Sequence, residues 1–436
     1  MNTVAVTCAG CGRAVDPMTE VPFRCPAATG DDIDHVLARR LIPPAPPLVD
    51  GDSHNPFLRY RRQLLAWHVA IAAGLDDSVY EEIAERLDAA IAGVDGRGFR
   101  MTPLFRSDVL AHRLGHDGMA LWIKDETDNV SGSHKARHLM SVLLYLHVAL
   151  AARLPLADGL RFRRLAIASC GNAALAAAVL ARAADWPLDV FIPTDAETTV
   201  VVRLKELGAS VHVCPRPPGT PGDPCVHAYR HAVQAGALPF SVQGNQNGLA
   251  VEGGYTLGWE LAEQLTANHA TPDSLFIQVG GGALASGVMQ GMAEAMSDGT
   301  IESLPRLFAV QTEGAWPLVR AWRTFSTQNA SVADAARHRS RYMRPWESTP
   351  HSIAHGILDD ETYDWLAVVD FMTRTGGDAL IAAETDFAAA NAAAKEVTGI
   401  SVSATGSAGL AGLLAPSIRS AKPASIIALL TGRERS

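Results

Sequence analysis

The sequence predicts an α/β protein built on parallel sheets, and three observations predict it. Short apolar runs recur along the chain, each bounded by turn residues and followed by a stretch with helical spacing. The 436 residues suffice for two packed units. The composition, 48% hydrophobic and 19% charged, is that of a folded globular protein. Strands that alternate with helices in this way imply parallel pairing, with helices covering both faces.

The first segment stands apart from that pattern. Cys8, Cys11 and Cys25 form C-x2-C…C. A zinc ribbon takes four ligands, commonly as two such pairs, and the fourth position here is Ala28, which cannot bind metal. His35 is a substitute, but the expectation is a degenerate ribbon with no metal. The six cysteines are too few and too scattered for a disulfide framework. A proline-rich connector, "PPAPPLVDGD" (43–52), divides this extension (1–50) from the remaining core (51–436).

In the core, "SVYEEIAERLDAAIAGV" (78–94) has helical spacing and stops at Gly96 and Gly98. "ALWIKDE" (120–126) reads as a strand, with a helix from about Ser133. "RRLAIASCGN" (163–172) is a strand running into a turn before an alanine-rich helix. "LDVFIPTD" (188–195) is a strand, "TTVVVRLKELG" a helix and "ASVHVCP" a further strand. The last strand-and-turn units are "DSLFIQVGGGALASG" (273–287), "PRLFAVQTEG" (305–314) and "ASIIALLTGRE" (424–434).

Several function classes recede at this level. A net charge of −9 and a pI near 5.9 disfavour nucleic acid as a partner. The best membrane candidate, "LMSVLLYLHVALAARLPLA" (139–157), is interrupted by His147, Arg153 and Pro155. Its longest apolar run falls short of the roughly 20 residues needed to span, so it reads as a buried helix. The start of the chain lacks a charged segment followed by an apolar one, so no signal peptide is expected and the cytoplasm is the expected location.

In open α/β sheets ligands bind at the carboxyl ends of the strands. The residues there are Lys135 with Ser133, then Ser169-Cys170-Gly171-Asn172, Gly280-Gly281-Gly282, Glu313-Gly314 and Thr431-Gly432. Small polar residues at five strand ends point to one shared crevice. Three glycines between a strand and a helix can turn backbone N–H groups towards a phosphate. A simple tight turn is the plainer reading. A dinucleotide site is the rival, because Gly280, Gly282 and Ala285 satisfy G-x-G-x-x-A, although Glu313 lies beyond the usual spacing for its acidic partner. Lys135, at a helix start, lacks the favourable dipole of a C-terminal cation, which lowers its pKa and suits a Schiff base with an aldehyde. An aldehyde cofactor that also carries one phosphate is pyridoxal 5′-phosphate.

At these residues the chain resembles the tryptophan-synthase-β superfamily (fold type II) of pyridoxal-phosphate enzymes, which includes threonine synthase and the serine and threonine dehydratases. "TPLFRSDVLAHRLG" (102–115) is similar to the group's entry segment, and "LWIKDETDNVSGSHKAR" to its K-x-E…N-x-(S/T)-G-S-x-K-x-R motif. "ASCGN" is similar to its substrate loop and "GGGALASG" to its phosphate loop. "NPFLRYRRQLL" (55–65), after the cysteines, also resembles threonine synthase. The resemblance implies a two-domain fold with a small mobile subdomain at about 136–238. It makes Lys135 the Schiff-base lysine and catalytic base, with Asn172 on the cofactor's 3′-oxygen. Gly280, Gly281, Gly282, Ala283 and Leu284 would hold the phosphate, and Thr431 would face the pyridine nitrogen. Ser133, His134, Ser169, Cys170 and Gly171 would meet the substrate.

Some positions have two readings or depart from the family. His134 is either a second acid–base group or packing behind the cofactor. Cys170 is expected to pack rather than react, and His351 and His355, four apart, to serve structure or substrate rather than metal. Threonine synthases read S-F-K-D-R-G where this chain has S-H-K-A-R-H, and Ala250 and Tyr255 replace two of their cations. The resemblance then implies a lyase acting on an unphosphorylated amino acid by α-proton abstraction and β-elimination. β- or γ-replacement is the close alternative, and an NAD(P)-dependent oxidoreductase the distant one. A homodimer is expected.

Overall fold

The computed structural model describes residues 3–43, 46–49, 51–216, 222–416, 418 and 424–435. Part of the proline-rich connector (44, 45 and 50) lies outside the described residues.

The extension forms a three-stranded antiparallel sheet of β1 (Val4–Cys8), β2 (Ala14–Val15) and β3 (Leu37–Leu41), in the order β2-β1-β3. After the Asp77–Asp95 helix, β4 (Leu104–Arg106) and β5 (Ala120–Asp125) open a larger sheet. The chain then leaves for a separate sheet of β6 (Leu165–Ala168), β7 (Leu188–Pro193), β8 (Ser210–Cys214) and β9 (Leu238–Pro239). It returns with β10 (Ser274–Gln278), β11 (Arg306–Thr312), β12 (Asp378–Ala382) and β13 (Ser425–Leu430). The large sheet has the order β12-β11-β10-β13-β5-β4 and the small one β8-β7-β6-β9. Every pairing in these two sheets is parallel except the edge strand β4 against β5.

Each strand read from the sequence is present, within a few residues of its expected ends. β10, "SLFIQ", is buried at every position, as a parallel strand covered on both faces should be. β1, β3, β12 and the short strands β2, β4 and β9 were not read from the sequence; the two- and three-residue strands among them carry too little alternation to be recognised.

Two buried helices tie the sheets together. Lys135–Ala151 is apolar nearly all round and packs against Gly248–Ala267, itself buried along most of its length. Their backbones meet at Gly253, where a Cβ would stand 2.1 Å from the Arg137 carbonyl oxygen. The stretch 139–157 is thus a core helix followed by a turn at Pro155–Ala157. Among the described residues no single helix is long and apolar enough to cross a membrane.

Candidate active site

Lys135 is the first residue of its helix because the preceding turn is fixed from both sides. The His134 N–H donates to the Thr431 carbonyl at 3.1 Å, and Ser133 forms an isolated antiparallel bridge with Gly432. The strand ends of β5 and β13 are thereby joined at the lysine. Burial holds its amine below the ordinary lysine range, with Asp359 and Asp364 opposing. Among the described residues its Nζ takes no hydrogen bond or ion pair. It is a free, poorly solvated amine, as a carbonyl-condensing lysine must be.

The residues around the lysine account for the spacing of K-x-E…N…K-x-R. Lys124, Glu126, Arg137 and Glu260 have fully buried side chains, each 0% exposed. Arg137 forks onto both Glu126 oxygens at 2.8 Å and reaches Glu260 at 2.9 Å. Lys124 Nζ donates to Glu260 Oε1 and to the Thr102 carbonyl, both at 2.6 Å. Asn129 Nδ2 and Thr102 Oγ1 donate to Glu126 at 2.7 and 2.5 Å. The conspicuous charges of the motif thus form a balanced buried network beneath the nucleophile; they are not substrate ligands.

The glycine loop fits an anion. Gly282, at φ +93°, turns the chain from β10 into the Ala283–Asp298 helix. The N–H groups of Gly282, Ala283, Leu284 and Ala285 take no acceptor among the described residues, so a helix N-terminus presents several free donors together. The Gly281 N–H already donates to a carboxylate, that of Asp359, which stands in for an anion there. Side chains on this loop would collide with the segment over it: a Cβ on Gly280 would meet Asp359 Oδ2 at 2.4 Å, and one on Gly282 the Thr362 methyl at 2.9 Å. A phosphate on the loop and an aldehyde on Lys135 therefore both have matching residues.

At the end of β13, Gln278 Nε2 donates to Thr431 Oγ1 at 2.5 Å, and the threonine hydroxyl makes a long contact to the Gly406 carbonyl at 3.5 Å. Asn172 begins the Asn172–Ala183 helix; its Oδ1 accepts from Arg435 Nε and an Arg435 terminal nitrogen at 3.2 and 2.8 Å, while its Nδ2 lies beside Gly432. The same Arg435 nitrogen reaches the Ser131 carbonyl at 2.9 Å. Ser133 is buried, and its Oγ has no partner among the described residues.

His134 Nδ1 faces the Thr431 carbonyl at 3.1 Å and so carries the proton, which leaves Nε2 a bare lone pair with no partner among the described residues. Burial, with Lys135 and His138 beside it, drives its pKa well below the usual histidine range. His138, edge-on to it at 5.7 Å, is pushed down to about 3 by burial and Lys135 and donates to the Ala250 carbonyl. Both imidazoles are neutral at pH 7. Burial raises the Cys170 thiol above its ordinary value, the opposite of an activated thiolate. Glu313 caps another helix, accepting from the Glu384 N–H at 3.0 Å, and His351 and His355 lie on exposed turns. Neither histidine belongs to a metal-ligand cluster among the described residues.

Two acidic residues were missed. Asp359 and Asp364 sit in "GILDDETYD", a stretch whose acidic residues were given no role from the sequence. Burial pushes Asp359 up to about 6 and Asp364 up to about 8, with Lys135 opposing in both cases. Asp359 holds an N–H that a phosphate would need, and its charge repels that phosphate. It is therefore expected that Asp359→Asn tightens pyridoxal-phosphate binding by at least about tenfold at pH 8, where the wild-type carboxylate is ionised. Removing the charge also favours the neutral lysine, so both effects have the same sign. Below about pH 5 wild-type Asp359 is protonated, and the two proteins should bind alike. Equal affinities at pH 8 in a cofactor titration would show that Asp359 does not contest the loop.

An unpaired, half-buried lysine, a glycine anion cradle on a separate strand and a neutral hydroxyl between them define a lysine-based pyridoxal-phosphate enzyme of the type II fold. Residues 97–432 match the pyridoxal-phosphate dependent enzyme family, and the chain belongs to it. Its curated relatives include threonine synthase of Methanosarcina acetivorans, 24% identical over 72% of this chain and 68% of that protein. The serine dehydratase-like protein of the rat is 31% identical over 45% of this chain, a match that spans about half (53%) of the rat protein. Among solved structures, the threonine deaminase of T.th. aligns with a TM-score of 0.59 at 22% identity, covering 81% of this chain and 98% of that one. Maize serine racemase gives the same TM-score at 18% identity, over 81% of this chain and 94% of that one. Membership of the family sets aside the dinucleotide reading of G-x-G-x-x-A.

Proposed function

We propose that this protein is a pyridoxal-phosphate-dependent lyase that removes the α-proton of an unphosphorylated amino acid and expels its β-substituent. When bound, the cofactor supplies the electron sink for the carbanion left by proton loss. Lys135 holds the cofactor and then takes the α-proton as general base. Asn172 would meet the cofactor's 3′-oxygen, Gly280, Gly281, Gly282, Ala283 and Leu284 would hold its phosphate, and Thr431 would face its ring nitrogen. Thr431 brings no charge to that nitrogen, which favours elimination and replacement over amino-group transfer. Ser133, His134, Ser169, Cys170 and Gly171 contact the substrate, and the subdomain at about 136–238 moves as it binds.

One observation supports an unphosphorylated substrate. The Gly248–Ala267 helix carries no lysine or arginine. Where threonine synthases place cations, Ala250 is buried with its carbonyl on His138, and Tyr255 donates to Gln290 at 2.7 Å. A second reading, replacement on a phosphorylated amino acid, rests on Arg435, a guanidinium beside Asn172 with no carboxylate partner among the described residues. The two are separated by assaying ammonia and keto-acid release from serine, threonine and other unphosphorylated amino acids, alongside phosphate release from phosphohomoserine. Keto acid and ammonia from an unphosphorylated substrate are expected; phosphate release alone would establish the second reading. The proposal extends to a cytoplasmic homodimer. Six free cysteines with no disulfide among them suit a reducing compartment.

A further inference from the structure

The three cysteines of the extension do not lack a fourth partner. The turn after β1 carries Cys8 and Cys11, closed by Gly12 at φ +74°, whose N–H returns to the Cys8 carbonyl at 2.9 Å. Cys25 arrives from the following loop. His35, just before β3, fills the corner that Ala28 leaves open. One ligand atom from each of the four residues lies within 4.8 Å of every other. The Cys8 Sγ to His35 Nδ1 separation is 3.4 Å and that between Cys11 and Cys25 Sγ is 3.7 Å. Tetrahedral zinc, with Zn–S near 2.3 Å and Zn–N near 2.05 Å, requires separations of about 3.6 and about 3.8 Å for such pairs.

The surroundings are also those of metal-bound ligands. His35 turns Nδ1 inward, and its Nε2 lies 3.0 Å from Asp31 Oδ1, the carboxylate–histidine pairing that orients a zinc-bound imidazole.

We propose that Cys8, Cys11, Cys25 and His35 bind one zinc ion as a closed structural site, and that the site pins the 31–35 loop to the core. Three sulfurs and one imidazole in a tetrahedron select zinc among common intracellular divalent cations and leave no open position for catalysis. The pinned loop is a clamp. The Asp34 N–H donates to the Ala336 carbonyl at 2.7 Å, and Asp32 accepts from the Ser340 N–H and hydroxyl at 2.7 and 3.0 Å. Arg339 bridges Asp34 at 3.0 Å to Glu361 at 2.6 Å. Glu361 lies in the segment that covers the glycine loop, so the metal site is linked by contacts to the wall of the active site.

The test uses the full chain, purified without chelator, with zinc measured by elemental mass spectrometry and its affinity by competition with a chromogenic chelator. One zinc per chain is expected. His35→Ala should lose it, while His35→Cys, which restores a four-thiolate set, should retain it. Asp31→Asn, a surface change that leaves all four ligands, should weaken zinc by about 10- to 100-fold. Metal-free protein that takes up no zinc after reduction would overturn the site. So would a His35→Ala protein with unchanged zinc content, or a Cys11–Cys25 disulfide in protein kept under reducing conditions. None of these readings depends on pyridoxal phosphate, so failure here is distinct from failure of the proposed activity.

Discussion

Lys135→Ala should leave a folded protein that no longer gives the visible absorbance band of lysine-bound pyridoxal phosphate. Turnover should fall by about 10²–10⁴-fold or more, because the same side chain anchors the cofactor and takes the proton. The fold should survive, since the Lys135 amine takes no hydrogen bond or ion pair among the described residues and alanine is the best helix former. The mutant's denaturant midpoint should therefore match wild type to within about 0.5 kcal/mol. The mutant also separates anchoring from binding. The glycine loop and Asn172 remain, so phosphate-bearing pyridoxal should still bind, more weakly and without the covalent band. If the band persists in Lys135→Ala, another amine holds the cofactor, and the assignment of the site to the start of the Lys135–Ala151 helix is wrong.

The sheets and the strand-end residues were legible for a physical reason. Buried parallel strands are continuous apolar runs, and the residues just past each carboxyl end face the crevice and are small and polar. Lys135, Asn172, the glycine loop and Thr431 could therefore be read in order, and the structure places each where a strand of the two parallel sheets ends. Asp359 and Asp364 could not be read that way. They follow no strand, and their importance comes from being folded back over Gly280–Gly282, a contact between positions about 80 residues apart. Arg435 escaped for a related reason: a basic residue beyond the last strand has nothing local to distinguish it from solvated surface. His35 was seen, but its distance to Cys8 is set by the register of β1 on β3, in which Cys8 pairs with Leu37. Sequence spacing alone left the fourth ligand at Ala28. The charges of K-x-E…N…K-x-R were legible as a motif, but without their role, because burial cannot be inferred from charge.

That last point yields the largest expected effect on stability. Arg137 has no contact with solvent and meets two carboxylates, Glu126 and Glu260, while Lys124 balances the second. Arg137→Met preserves most of the volume but strands a carboxylate in the core. The expected cost is about 3–5 kcal/mol, because the penalty is that of an unpaired buried ion and exceeds the net worth of the pair. Against a total stability of about 5–15 kcal/mol, such a loss should appear as a large drop in denaturant midpoint or as insoluble protein. Arg137→Lys should fall between the two. It keeps the charge but cannot fork onto both Glu126 oxygens, and Asn129 and Thr102 would remain on a carboxylate held at one point. The decisive comparison is the double mutant Arg137→Met, Glu126→Leu. Removing both partners takes away the stranded ion, so the pair should cost less than the sum of the two single changes, by more than about 1 kcal/mol. Strict additivity would mean that Arg137 and Glu126 are not coupled and that the network is incidental packing. Because Arg137 lies two residues beyond Lys135 on the same helix, Arg137→Lys should also reduce turnover in the fraction that folds, by shifting the turn that aims the amine. An Arg137→Lys enzyme with wild-type turnover per folded molecule would confine the network to stability.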